Sequence, residues 1–423
     1  ESPYREADYG SAPKGLMYGL QCMDSWLYDG DPMMHLQYEQ TFDFLKKAVD
    51  EGYFEQLIRD YLLDNPFEAV VIVSPRKNLT AIEDEKTAAK LAAYKASLTP
   101  EQVKDLIVQT RELKAYQETP SPQSDLEKIP MLSRDDISRE AEKIIWEEKE
   151  ADGIKVIHHE MFTAGIGYLK VLFDTSVLPM EDLPYAALLK SVLGYVDTEN
   201  FTYGDLTSEI HLNSGGVSFS VTAYPNLQSP EDWKGMFVAS VRVLYDKIDF
   251  GFSILAEILT RSVLDNEKRL GEVISETRSR ARMKLEGASH SAAVSRATSY
   301  FSPAAAYSDL TGGIEYYSFL EQLEKNYPAK KAETAQRLKQ VAEKLFTKEN
   351  MLVSYTADKE GYELLLQGLK KLTNVLPQGA GSRYPFLFER KNRNEGFKTA
   401  SQVNYVARCG NFREKGFEYT GAL

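Results

Sequence analysis

The sequence predicts an α+β fold, and three observations carry that reading. Charged stretches with apolar residues at three- and four-residue spacing alternate with short β-branched runs. Several of those runs alternate apolar and polar residues as half-buried strands do. The order helix, polar break, strand also appears twice: over 54–63, Asp64-Asn65-Pro66 and 69–73, then about 280 residues later over 335–345, Thr347-Lys348-Glu349-Asn350 and 351–356.

Taken in order, Trp26, Leu27, Met33, Met34, Leu36, Phe42, Phe44 and Leu45 mark an opening helical region. A helix over 53–63 stops at Asp64-Asn65-Pro66, because proline disfavours helix at the residue before it. Ala69-Val70-Val71-Ile72-Val73 is apolar on both faces and predicts a strand buried in a sheet. Charged helices fill 82–117, the second starting at Thr99-Pro100-Glu101-Gln102, which offers an N-cap, a first-turn proline and a capping-box glutamine. Glu118-Thr119-Pro120-Ser121-Pro122-Gln123-Ser124 is a linker, and a helix is expected after Ser133 with Asp135, Asp136 and Glu140 early in it.

From Gly153 the texture changes. Residues 155–161 and 167–174 predict two adjacent strands, followed by helices at 183–192 and 202–212. Gly215-Gly216-Val217-Ser218-Phe219-Ser220-Val221-Thr222-Ala223 alternates apolar with Ser and Thr, a half-exposed strand. A strand over 238–248, helices over 252–282, 292–300, 316–325 and 330–345, a strand over 351–356 and a helix over 362–372 complete the series. Pro377-Gln378-Gly379-Ala380-Gly381-Ser382 is a second linker, and 401–408 opens a further strand.

Composition narrows the function classes. Fifty Lys and Arg stand against 63 Asp and Glu, a net charge of −13 that repels phosphate backbones and anionic lipid. Nucleic acid and membrane are therefore not expected as partners. Cys22 and Cys409 are too far apart in sequence to suggest a disulfide framework, and no apolar run approaches the ~20 residues of a membrane helix. The chain opens Glu1-Ser2-Pro3 without an initiator Met and ends Gly421-Ala422-Leu423, which we read as a piece of a longer protein.

Chemistry is sparse. The histidines are His35, His158, His159, His211 and His290, and neither H-E-x-x-H nor H-x-x-E-H occurs. His158 and His159 point to opposite faces of a strand and cannot converge on one ion. There is no G-x-S-x-G, Walker loop or Rossmann fingerprint, and Glu147, Glu148 and Glu150 form a solvated run. The expectation is no catalytic and no metal-binding residue in this chain. One feature stands out: Ser214, Gly215, Gly216, Val217, Ser218 and Phe219 lead into a strand that could offer its edge to an extended peptide, the alternative being an ordinary half-exposed sheet strand.

Several segments, in one order along the chain, carry a resemblance. They include Asp8-Tyr9-Gly10-Ser11-Ala12-Pro13-Lys14-Gly15-Leu16, Trp26-Leu27-Tyr28-Asp29-Gly30-Asp31-Pro32, Tyr61-Leu62-Leu63-Asp64-Asn65-Pro66, Phe173-Asp174-Thr175-Ser176, Gly215-Gly216-Val217-Ser218, Ser299-Tyr300-Phe301-Ser302, Gly313-Ile314-Glu315-Tyr316-Tyr317, Asn394-Glu395-Gly396-Phe397 and Gln402-Val403-Asn404-Tyr405-Val406. The whole chain resembles the presequence-protease branch of the pitrilysin/insulinase family of zinc metallopeptidases. The resemblance implies pitrilysin-type modules, each an antiparallel sheet packed with helices, joined by a helical hairpin hinge and closing around an unfolded peptide. It assigns 1–76 to the end of a second module, 77–150 to the hinge, 151–375 to a complete non-catalytic third module, and 376–423 to a linker and the start of a fourth. Zinc, its two His and one Glu ligands, and the Glu that activates water are implied upstream of Glu1. An Arg and Tyr in an R-x-x-G-G-x-Y-like segment are implied beyond Leu423. The expectation is thus the non-catalytic central and C-terminal part of a zinc endopeptidase that degrades short unfolded peptides. Its partners would be those peptides and the missing N-terminal catalytic half; the alternative is a structural or peptide-binding subunit of the same fold family. The expected compartment is the bacterial cytoplasm, or an organellar matrix if a targeting segment precedes residue 1.

Overall fold

In the computed structural model the described residues form one mixed sheet of six strands, in the spatial order 147–151, 154–160, 351–357, 166–174, 233–244 and 216–225. The structure describes all residues except 139, 141–142, 227–228, 230–231, 380, 400–402, 413–415 and 418–423. The chain divides into two units, one of residues 39–143 and one of residues 1–38 with 144–423.

The larger unit opens with α1 (Ser2–Glu6) and α2 (Lys14–Trp26). The smaller one is helical: α3 (Glu39–Ala48), α4 (Tyr53–Ile58), α5 (Leu79–Ser97), α6 (Pro100–Glu118) and the single turn α7 (Gln123–Leu126). The start of α6 is as expected. Thr99 Oγ1 accepts the Gln102 amide at 3.3 Å, and Gln102 Oε1 accepts the Thr99 amide at 2.9 Å.

Three expectations here need correction. Val70, Val71, Ile72 and Val73 are not a buried strand; they are 81–88% exposed and pair with no strand among the described residues. An apolar run becomes a strand only where a second edge accepts its backbone, so the first copy of the helix–break–strand repeat stays incomplete. After Ser133 the helix is one 3₁₀ turn, Arg134–Asp136, since the Asp136 carboxylate bonds back to the Ser133 amide at 2.7 Å; residues 139 and 141–142 lie outside the described residues.

In the larger unit the strands are β1 (Glu147–Ala151), β2 (Ile154–Glu160), β3 (Ile166–Asp174), β4 (Gly216–Pro225), β5 (Trp233–Leu244) and β6 (Met351–Ala357). All pairs are antiparallel except β2 with β6. The strands expected as neighbours, β2 and β3, are separated by β6, which returns from the far end of the unit to fill the gap. The glutamate run predicted to be solvated does stay mostly exposed, yet it is strand β1: pairing with β2 overrides its composition. The strand expected over 401–408 is absent from the described 403–408, while 401–402 lie outside the described residues.

The helices are α8 (Leu183–Val192), α9 (Tyr203–Asn213), α10 (Ile248–Arg261), α11 (Glu267–Gly287), α12 (Ser289–Thr298), α13 (Pro303–Gly312), α14 (Ile314–Leu345) and α15 (Lys359–Thr373). The single helix expected over 252–282 is two, broken between Arg261 and Glu267, and α14 is kinked at Lys330, just after Pro328. Alternation decides the layers. Leu169, Val171 and Phe173 of β3, Phe237, Ala239 and Val241 of β5, and Val353 and Tyr355 of β6 enter the main core, which α8, α10 and α15 complete. The other sheet face carries a small second cluster of Leu172, Met236 and Val238, with Leu352 against them. Helix α8 buries apolar residues on nearly every side, as a helix enclosed by a core must.

Candidate functional site

The candidate site forms where α9 hands over to β4. Ser214 closes the helix, its hydroxyl donating to the Ile210 carbonyl at 2.7 Å and accepting the Gly216 amide at 3.1 Å. Gly216 sits at φ +122°, a conformation side chains rarely adopt, so the glycine is what lets the chain turn into the strand. Gly215 donates to the Arg242 carbonyl at 2.7 Å and accepts from Arg242 Nη2 at 2.6 Å, pinning the start of β4 to β5.

From there β4 pairs with β5 along its length and ends the sheet; no described strand lies on its other side. Val217, Phe219, Val221 and Ala223 pack against the core while Ser218, Ser220 and Thr222 are exposed, the alternation the sequence predicts. Backbone groups on the outer side of such an edge lack a ladder partner.

A cavity of about 500 Å³ opens beside this edge, on the helix-covered side. Val217, Ser218 and Phe219 line it; Ser214, Gly215 and Gly216 do not, and serve to shape the turn into the strand. Its other walls come from α8, α9, α11 and the start of α14, and its charged lining is Lys190, Arg280 and Lys284, with His211 beside them and without a carboxylate among the described residues. Lys190 Nζ donates to the Thr311 carbonyl at 3.1 Å and lies 5.5 Å from the Tyr316 ring centre. Burial, with a contribution from Lys284, pushes its amine down to about 8. Arg280 pairs with Glu276 at 3.0 Å. Thr277 is only 8% exposed, and its hydroxyl has no hydrogen-bond partner among the described residues.

These cavity residues are not legible individually in the sequence. Lys190 interrupts the apolar run Leu188-Leu189-Lys190-Ser191-Val192, and Thr277, Arg280 and Lys284 share one face of α11 by spacing. Nothing local says that the two groups meet.

The histidine pair diverges as predicted. His158 is buried, with Nε2 donating to the Ala357 carbonyl at 3.1 Å and Nδ1 accepting from Lys149 Nζ at 3.0 Å; burial holds its pKa below the usual value. His159 instead donates to the Ile145 carbonyl at 3.0 Å. Among the described residues no three His, Cys, Asp or Glu side chains are grouped to hold a metal ion. Cys22 and Cys409 are free thiols. No described helix is long and apolar enough to cross a membrane.

Residues 73–323 match the family profile described as peptidase M16 subfamily C associated. Along all 423 residues the chain is 36% identical to Protein HypA of Clostridium perfringens, of which it covers 43%. It is 28% identical to Presequence protease 1, chloroplastic/mitochondrial, of Arabidopsis thaliana, covering 100% of this chain and 39% of that protein. The chain thus spans about two fifths of the length of these curated relatives. A solved structure of a peptidase M16 inactive domain from Pseudomonas fluorescens overlaps 56% of this chain and 52% of its own, at 16% identity and a TM-score of 0.39.

Proposed function

The chain belongs to the family of regions associated with subfamily C of peptidase M16, and from that premise we propose that it is the non-catalytic central and C-terminal part of a zinc-dependent endopeptidase that degrades short unfolded peptides within a closed chamber. The observation that carries the proposal is a free strand edge, that of β4, in a chain whose whole length aligns with part of a presequence protease. Such an edge can hold an extended peptide by backbone hydrogen bonds, and unfolded peptides are the substrates whose backbones are available for that pairing. Residues 77–150, which contain α5 and α6, would act as the hinge, and 151–375 would form chamber wall. Zinc and the groups that activate water would be supplied by the N-terminal catalytic half, as the described residues hold no ligand set. The proposed compartment is the bacterial cytoplasm, which fractionation of the native protein tests.

The chain incubated with a quenched fluorogenic peptide and added zinc should show no chelator-sensitive hydrolysis, and appreciable turnover would overturn the assignment. Binding is tested separately. A labelled unfolded peptide should bind the chain, and Val217→Pro or Phe219→Pro should abolish that binding by removing an amide and breaking the strand. Unchanged affinity in both variants would refute the edge as the docking element.

A further inference from the structure

The walls of the cavity beside β4 have a chemistry at odds with the rest of the chain. The protein carries a net charge of −13, yet the charged residues at this cavity are Lys190, Arg280 and Lys284, with no Asp or Glu among its described lining residues. Lys190 has no ion-pair partner among the described residues; its ammonium meets the Thr311 carbonyl and the face of Tyr316. The Thr277 hydroxyl, in the same lining, is buried and unpartnered among those residues. A partly buried amine without a counter-charge and a buried hydroxyl without a partner are both costly, and an anionic group that reached both would satisfy them.

The cavity shares Val217, Ser218 and Phe219 with the strand edge. We propose that it receives a carboxylate of an extended peptide whose backbone pairs with the free edge of β4, so that the docking element prefers acidic peptides. The preference rests on the peptide-docking reading given above. The carboxylate could be an Asp or Glu side chain or the peptide C-terminus. Both offer two acceptor oxygens, which suits an ammonium and a hydroxyl approaching from different walls.

Fluorescence anisotropy with three labelled unstructured peptides of about twelve residues and common Ser/Thr/Val sequence tests this. One is amidated and uncharged, one is amidated with a glutamate near its end, and one is uncharged but ends in a free carboxylate. At least one carboxylate-bearing probe should bind about tenfold tighter than the neutral one, the worth of a charge-assisted hydrogen bond. Which probe gains identifies the source of the carboxylate. In Lys190→Met/Lys284→Met that gain should vanish while the neutral probe keeps its affinity. Thr277→Val, a near-isosteric change, should reduce the gain in part and guards against a misfolded double variant. Equal affinity of all three probes for the unmodified chain overturns the carboxylate site and leaves the strand-edge reading standing. No binding of any probe overturns the strand-edge reading and the carboxylate site with it.

Discussion

At the scale of single residues, Lys190 is the most informative side chain, because its position works against folding. Its amine falls from 10.5 to about 8, with burial the largest cause. The folded pKa lies below the unfolded one, so between about pH 8 and 10.5 the unfolded chain holds the proton more strongly and stability rises with pH. Below pH 8 the fold bears the full cost of the buried charge, about 3 kcal/mol. Lys190→Met should therefore raise the melting temperature at pH 7 by several degrees, and the gain should shrink toward zero near pH 10.5; scanning fluorimetry at the two pH values measures it. A variant less stable than the parent at pH 7 would show that the amine is already compensated. Arg296 is the opposite case. It bonds Asp309 at 2.5 Å, Glu315 at 2.9 Å and Glu395 at 2.8 Å, and the Glu395 carboxyl is held down to about 2, chiefly by Arg296. Arg296→Met strands the buried Asp309 and should cost about 3–5 kcal/mol, visible as a lower denaturation midpoint. A loss no larger than that of Arg282→Met, whose side chain is 56% exposed and whose partner Glu286 is 40% exposed, would count against this.

At the scale of elements, close approach decides what is tolerated. Helix α15 packs on α10 with Gly368 against Phe252, so near that a β-carbon would overlap the ring. Gly368→Val should lower stability by about 1–3 kcal/mol through overpacking, whereas the same change at Gly287, where a β-carbon meets nothing, should cost under about 1 kcal/mol. Equal melting temperatures for the two variants would refute the contact. The same contrast between local and long-range causes explains what the sequence reveals. The capping box at Thr99, the alternation of β4 and the helix over 183–192 are local patterns, and each is found where the sequence puts it. Strand β1 and the absence of a strand at Val70–73 depend on whether a partner edge exists, which no local pattern encodes. The intervening position of β6 between β2 and β3 is likewise a matter of topology, set by a segment almost two hundred residues away. The candidate site divides the same way. Its strand is legible because the period is two, and its cationic walls are not, because α8 and α11 meet only in the fold.

At the scale of the whole molecule, the net charge and the local site have opposite signs, and they act over different distances. A net charge of −13 repels an acidic peptide at long range, while Lys190 and Lys284 attract its carboxylate only once it has reached the cavity. Added salt shortens the Debye length from about 30 Å at 0.01 M to about 8 Å at 0.15 M, so it weakens the distant repulsion first. Contacts made inside a partly buried cavity are screened much less. The association rate constant of an acidic probe should therefore rise with salt across that range, and its dissociation rate constant should change less. Stopped-flow anisotropy separates the two. An association rate that falls with salt would mean the basic cavity already governs the field seen by an approaching peptide, and that the excess acidic residues lie on surfaces the peptide never senses.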